Sequence, residues 1–140
     1  MTTETLHQFK PYAPKKGEEY MDENMRKHFE QILVEWKKNL IEEAGRTVNT
    51  LKEEATNFAD MADRASQEEE FSIELRTRDR ERKLIRKIDL SLFDLKEGSY
   101  GYCESCGVEI GLRRLEARPT AKLCIDCKTL SEMKEKHLHD

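Results

Sequence analysis

Residues 22–57 run DENMRKHFEQILVEWKKNLIEEAGRTVNTLKEEATN, and the spacing of their apolar side chains decides the fold. Met25, Phe29, Ile32/Leu33, Trp36 and Leu40 lead a series that continues through Ala44, Val48 and Leu51 to Ala55. The steps are three or four throughout, which places them on one stripe of an α-helix. Asp22 is suited to cap that helix, and Glu23 puts negative charge in its first turn, where the helix dipole favours it. Gly45 is the weak point, but no proline interrupts the run. At 1.5 Å rise per residue the helix reaches roughly 50 Å.

A second stripe runs from Phe71 through Leu75, Arg78, Arg82, Ile85, Ile88 and Leu92 to Leu95, and Gly98 closes it as the residue just past the helix end. Two such helices with a short connection fold back on each other as an antiparallel coiled-coil hairpin. Arg78 and Arg82 stand where apolar knobs are expected. Either their alkyl stems cover the seam or they face a partner. The connection, near residues 57–66, forms the tip of the finger and carries Asp60 and Asp63 three residues apart. From the residues alone these acids read most simply as helix caps, with Ser66 and Glu69 as a capping box, and a functional acid pair is the alternative.

Cys103-x2-Cys106 and Cys124-x2-Cys127, separated by 17 residues, use all 4 cysteines of the chain. This spacing is that of a structural zinc site. Four thiolates fill a tetrahedral shell and leave no position for a reactive water, so one Zn2+ is expected as a fold element. Between the pairs lies the basic stretch Leu112 to Pro119, and from Lys128 to His139 a terminal helix rich in Lys and His is expected.

The expected architecture is therefore mainly α. Residues 1–21 form an irregular arm belonging to a small globular base, 22–98 the coiled-coil finger, and 99–140 the four-cysteine zinc finger and C-terminal helix. Phe9, Tyr12 and Tyr20 are the arm's adhesive residues.

Composition agrees with a thin, charged molecule. Charged residues are 39% of the 140, while hydrophobic ones are 36%, below the usual ~45–50% and too few to line a thick core. The net charge of −4 argues against a protein whose affinity comes from coating nucleic acid, although a local basic patch is compatible with it. There is no run of ~20 apolar residues to span a bilayer and no apolar segment in the first 20 residues to direct export, so a cytoplasmic location is expected. No P-loop, dinucleotide fingerprint or nucleophile constellation is present, and His7, His28, His137 and His139 lie near no candidate nucleophile, which points away from an enzyme.

Several runs resemble the DksA/TraR zinc-finger family of bacterial RNA polymerase-binding transcription factors. They are Asp63-Arg64-Ala65-Ser66-Gln67-Glu68-Glu69-Glu70-Phe71, Arg78-Asp79-Arg80-Glu81-Arg82-Lys83-Leu84-Ile85, Gly101-Tyr102-Cys103-Glu104-Ser105-Cys106-Gly107, Arg113 to Thr120, and Leu123 to Lys128. The resemblance covers about Gly17 to Lys134. It implies a finger that enters the secondary channel of RNA polymerase, with no direct sequence-specific DNA binding, acting as a monomer. The tip residues Asp60, Asp63, Arg64 and Ala65 would approach the catalytic centre, and Arg80 would contact the polymerase rim. Lys87, Arg118 and Lys128 would hold the alarmone guanosine tetraphosphate (ppGpp) at the polymerase interface. The implied effect is destabilised open promoter complexes, repressing ribosomal RNA promoters and activating some amino-acid biosynthesis promoters in the stringent response. The alternative is a transcript-cleavage accessory factor using the same acidic tip. Met61-Ala62 departs from the family pattern, which has Pro-Val between the aspartates.

Overall fold

Asp22 caps the first helix as its position predicts: its Oδ1 accepts the Met25 N–H at 2.9 Å, and its carbonyl accepts the Arg26 N–H at 3.0 Å. The helix, α1, spans Glu23–Asn57, and α2 spans Arg64–Glu97. A short α3, Leu112–Ala117, and α4, Ile125–His139, complete the order. The computed structural model describes residues 9–57 and 64–139. Asp60 and Asp63 lie outside the described residues, as do the side chains of Arg64 and Ala65.

Helices α1 and α2 pack along their length. Lys37 pairs with Asp89 at 2.6 Å and Thr47 with Glu81 at 3.0 Å, so partner numbers fall along α2 as they rise along α1, the mark of an antiparallel pair. Helix α2 ends as expected: Gly98 takes φ +85°, and the Ser99 N–H reaches back to the Asp94 carbonyl at 2.9 Å.

Two expectations for α2 change. Among the described residues the helix runs from Arg64, which places Ser66 on a helical turn and not at a capping position. The seam also differs from the expected stripe. Leu75 is 41% exposed and Arg82 is exposed, while Glu81 is buried and Glu74 partly so. The true seam is Phe71, Glu74, Arg78, Glu81, Ile85, Ile88, Leu92 and Leu95, whose steps alternate strictly between three and four. That alternation is the heptad of a coiled coil, and hydrophobicity alone had favoured Leu75 over its polar neighbour.

The Glu81 carboxyl is consequently set in the seam, 8% exposed, with one oxygen accepting from Thr47 and the other buried without a partner. Burial pushes its pKa up, the Thr47 hydrogen bond opposes this, and the nearby Glu43 and Glu74 push it further. A carboxyl with a raised folded-state pKa holds its proton more tightly when folded. Its stabilising contribution is present below the ordinary value of 4.5 and is lost as pH rises through the raised value. Glu81→Gln keeps an oxygen for Thr47 and cannot ionise, so at neutral pH it should be about 1 kcal/mol more stable than the parent, with the gap closing in acid. Urea melts of both proteins at two pH values measure this, and equal stability at neutral pH would contradict it.

The main core lies at the base, where Met25, Phe29, Ile32, Leu33 and Leu40 of α1 meet Ile88 of α2 and the zinc segment. Tyr100, 4% exposed, donates to the Pro119 carbonyl at 2.7 Å and packs on Phe29 with ring centres 5.7 Å apart. The arm joins this core through the residues its composition singled out. Tyr20 Oη donates to the Gly101 carbonyl at 2.7 Å and accepts the Gly111 N–H at 3.0 Å. Gly101 takes φ +90°, and a Cβ there would stand 2.9 Å from Met21 Cγ, so only glycine fits between arm and zinc knuckle. Glu116 of α3 accepts the Tyr12 N–H at 2.8 Å and meets His28 Nε2 at 2.7 Å, tying arm, α1 and zinc segment together.

Candidate metal centre and cation cavity

The first cysteine pair sits in a tight knuckle. Tyr102 and Glu109 form an antiparallel bridge, the Cys103 N–H donates to the Val108 carbonyl at 2.7 Å, and the Gly107 N–H to the Cys103 carbonyl at 2.9 Å. The second pair is built differently. The Lys128 N–H donates to the Cys124 carbonyl at 2.9 Å, so α4 starts at Ile125 rather than at the expected Lys128 and carries Cys127 on its first turn. The metal pair and the terminal helix are thus one element, because the second CxxC is itself a helix start.

All four sulfurs lie within 4.8 Å of one another, and those of Cys106 and Cys124 are 3.7 Å apart. Zinc held by four thiolates at ~2.3 Å requires sulfur–sulfur separations of about 3.8 Å, so the donor set fits. Without a cation the four thiols cannot all ionise. Backbone N–H groups of Cys124 and then Cys106 bring Cys103 down to about 6, whereas hydrogen bonding with Cys124 first, and then with Cys106 and Cys103, pushes Cys127 up to about 12. A bound Zn2+ stabilises all four as thiolates, closes the coordination shell and fixes the knuckle to α4.

Beside the zinc site a cavity of about 370 Å3 is lined by Lys87 of α2, Arg114 of α3, Arg118, Lys122 and Lys128, together with Thr120 and apolar neighbours. Lys87, Arg118 and Lys128, named from the family resemblance, are thereby brought into one site from three separate segments. Lys87 and Arg118 are exposed and have no carboxylate partner among the described residues, while Lys128 meets Glu132 at 4.0 Å. Arg114 and Lys122 were missed. Arg114 lies in the basic stretch and stands four residues before Arg118, a spacing that could have suggested a shared face. Its Nε donates to the Leu123 carbonyl at 3.0 Å, which holds the guanidinium in place. Arg80 is exposed and stands seven residues before Lys87, which puts it on the same side of α2 about 10.5 Å further toward the tip.

Two family models match. One described as DnaK suppressor protein DksA, N-terminal domain, matches residues 25–95, and one described as prokaryotic dksA/traR C4-type zinc finger matches residues 98–132. The chain is 61% identical over 128 residues to the RNA polymerase-binding transcription factor DksA of Escherichia coli K12, covering 91% of this chain and 85% of that one. It is 60% identical over 129 residues to the protein of that name from Haemophilus influenzae, covering 92% and 89%. The solved structure of transcription factor DksA2 from Pseudomonas aeruginosa superposes with a TM-score of 0.80 at 38% identity, covering 98% of this chain and 100% of that one.

Proposed function

The chain belongs to the DksA family, and from that premise we propose that it binds RNA polymerase through the secondary channel and, with guanosine tetraphosphate, destabilises open promoter complexes. The observation that carries the reading is the convergence of Lys87, Arg118 and Lys128 in one cavity at the foot of a finger about 50 Å long. In this reading residues 22–98 enter the channel, and residues 1–21 with 99–140 form a base that stays at the rim. The tip, with Asp60, Asp63, Arg64 and Ala65, then reaches toward the catalytic centre, and Arg80 meets the rim. Lysine and arginine suit a ligand with clustered phosphates because they form charge-assisted hydrogen bonds, and arginine can grip two oxygens at once. The proposed regulator is not an enzyme: its zinc has no open position, and the acids act through the polymerase. The cytoplasm, where the polymerase works, is its site of action.

The test is transcription from a ribosomal RNA promoter by purified polymerase, with and without the protein and the alarmone. Replacing Lys87, Arg118 or Lys128 by Ala should remove most of the alarmone-dependent repression, about tenfold in half-saturating concentration, and spare the alarmone-independent part. Mutants that respond to the alarmone like the parent would overturn the assignment of the cavity.

A further inference from the structure

Lys122 stands in the wall between two hollows. One is the cation cavity with Lys87, Arg114, Arg118 and Lys128, and the other, also about 370 Å3, is lined by Ser91, Asp94, Tyr100 and Glu104. Ala121 and Lys122 line both. The Lys122 ammonium donates to Asp94 Oδ2 at 2.7 Å, with the two side chains 31% and 29% exposed. A charge so closely paired contributes little field to the neighbouring cavity.

The two partners differ in freedom. Asp94 is on the last turn of α2, and its backbone carbonyl accepts the N–H groups of Ser99 and Tyr100 where the helix closes, so its carboxylate is carried by a fixed backbone. Lys122 lies in the irregular segment between α3 and Cys124 and bears its ammonium on a flexible four-carbon stem. Arg114 has no such freedom, since its Nε is committed to the Leu123 carbonyl. Among the described residues, Lys122 is the one cation lining the cavity that a carboxylate meets at close hydrogen-bond distance.

We infer that Lys122 is a further cation of the anion cavity and that Asp94 is the counter-ion that neutralises it, so that the pair sets how tightly the cavity takes a ligand with clustered phosphates. This rests on the proposed alarmone site and adds its regulation. Removing the carboxylate adds one positive charge to the cavity wall, and removing the ammonium exposes one negative charge there. Removing both restores the parent's net charge.

The experiment titrates guanosine tetraphosphate against open-complex decay with purified polymerase for the parent, Asp94→Asn, Lys122→Ala and the double variant. Asp94→Asn should lower the half-saturating alarmone concentration on the order of fivefold, and Lys122→Ala should raise it by a similar factor. The double variant should return close to the parent. Asp94→Asn is nearly isosteric and leaves the backbone bonds that close α2 intact; Asp94→Ser reads the same way if the first variant melts early.

An Asp94→Asn titration matching the parent overturns the inference. So does a double variant that keeps the gain of Asp94→Asn, because the carboxylate would then repel the ligand without Lys122. Polymerase affinity without alarmone, measured by competition, is the second arm. If Asp94→Asn tightens that alone, the anion is an acidic surface of the polymerase and the phosphate assignment is wrong. A parent without any alarmone response, or Lys87→Ala responding like the parent, instead overturns the cavity's proposed role and takes this inference with it.

Discussion

Chelating zinc is expected to unfold the base while most of the helical signal survives. The four sulfurs are the junction of the Tyr102–Glu109 knuckle with the start of α4, and Cys103 and Cys124 are themselves buried in the core. Zinc binding contributes on the order of 10–16 kcal/mol in small sites of this kind, comparable to the whole stability of a typical domain. The segment from Tyr100 to Lys128 has little apolar material to replace it. Its buried Ile110, Leu115 and Tyr100 share one core cluster with Phe29 of α1 and would lose their placement with the metal. By contrast, α1 and α2 hold 35 and 34 residues, against 6 and 15 in α3 and α4, and their seam includes no cysteine. Far-ultraviolet circular dichroism should therefore fall only modestly, while the tyrosine signals of the base lose their asymmetry. Elemental analysis should find about one zinc per chain. Cys124→Ser should behave like the chelated parent. A protein without metal whose thiols titrate freely, or a base unchanged by chelation, would overturn this.

Asp63→Asn is expected to abolish most of the shortening of open-complex lifetime and leave polymerase affinity within about twofold of the parent. Under the proposed function, binding is carried by Arg80 and the base, whereas the acids act at the far end of a finger about 50 Å long. The change is nearly isosteric and keeps a hydrogen-bonding oxygen, so an aspartate serving only as a helix cap should tolerate it with little loss. An acid that works by charge, close to the polymerase's metal or basic groups, should not. Binding by competition and open-complex decay are measured in parallel for the parent, Asp60→Asn and Asp63→Asn. Full regulatory activity in both variants would return the aspartates to capping, and joint loss of binding and activity would make the tip an anchor.

Much of this molecule was legible because its strongest signals are local. The cap at Asp22, the helix end at Gly98 and the two Cys pairs each depend on residues a few positions apart, and each is found where the spacing predicts it. Periodicity misleads where a polar residue occupies an apolar lattice. Periodicity alone admits Leu75 and Arg82 to the seam, because four-residue steps from Phe71 and Arg78 are as helical as three-residue ones. A coiled coil accepts one register, and that register buries Glu81 and half-buries Glu74. The start of α4 was missed because ligand spacing says nothing about the conformation of the residues between ligands.

Sequence by itself determined two long amphipathic helices, their antiparallel return and a closed four-thiolate metal site, since periodicity and close spacing are properties of neighbouring residues. The roles of Lys87, Arg118 and Lys128 came from family resemblance, because isolated charges have no period and announce no partner. Only the tertiary structure decided that these three share a cavity with Arg114 and Lys122, that Asp94 neutralises Lys122, and that Glu116 holds both His28 and the arm. Those contacts join residues tens of positions apart. They exist because α1, α2 and the zinc-held segment bury Phe29, Ile88, Tyr100 and Leu115 against one another, and that shared burial settles which charged side chains meet at the surface.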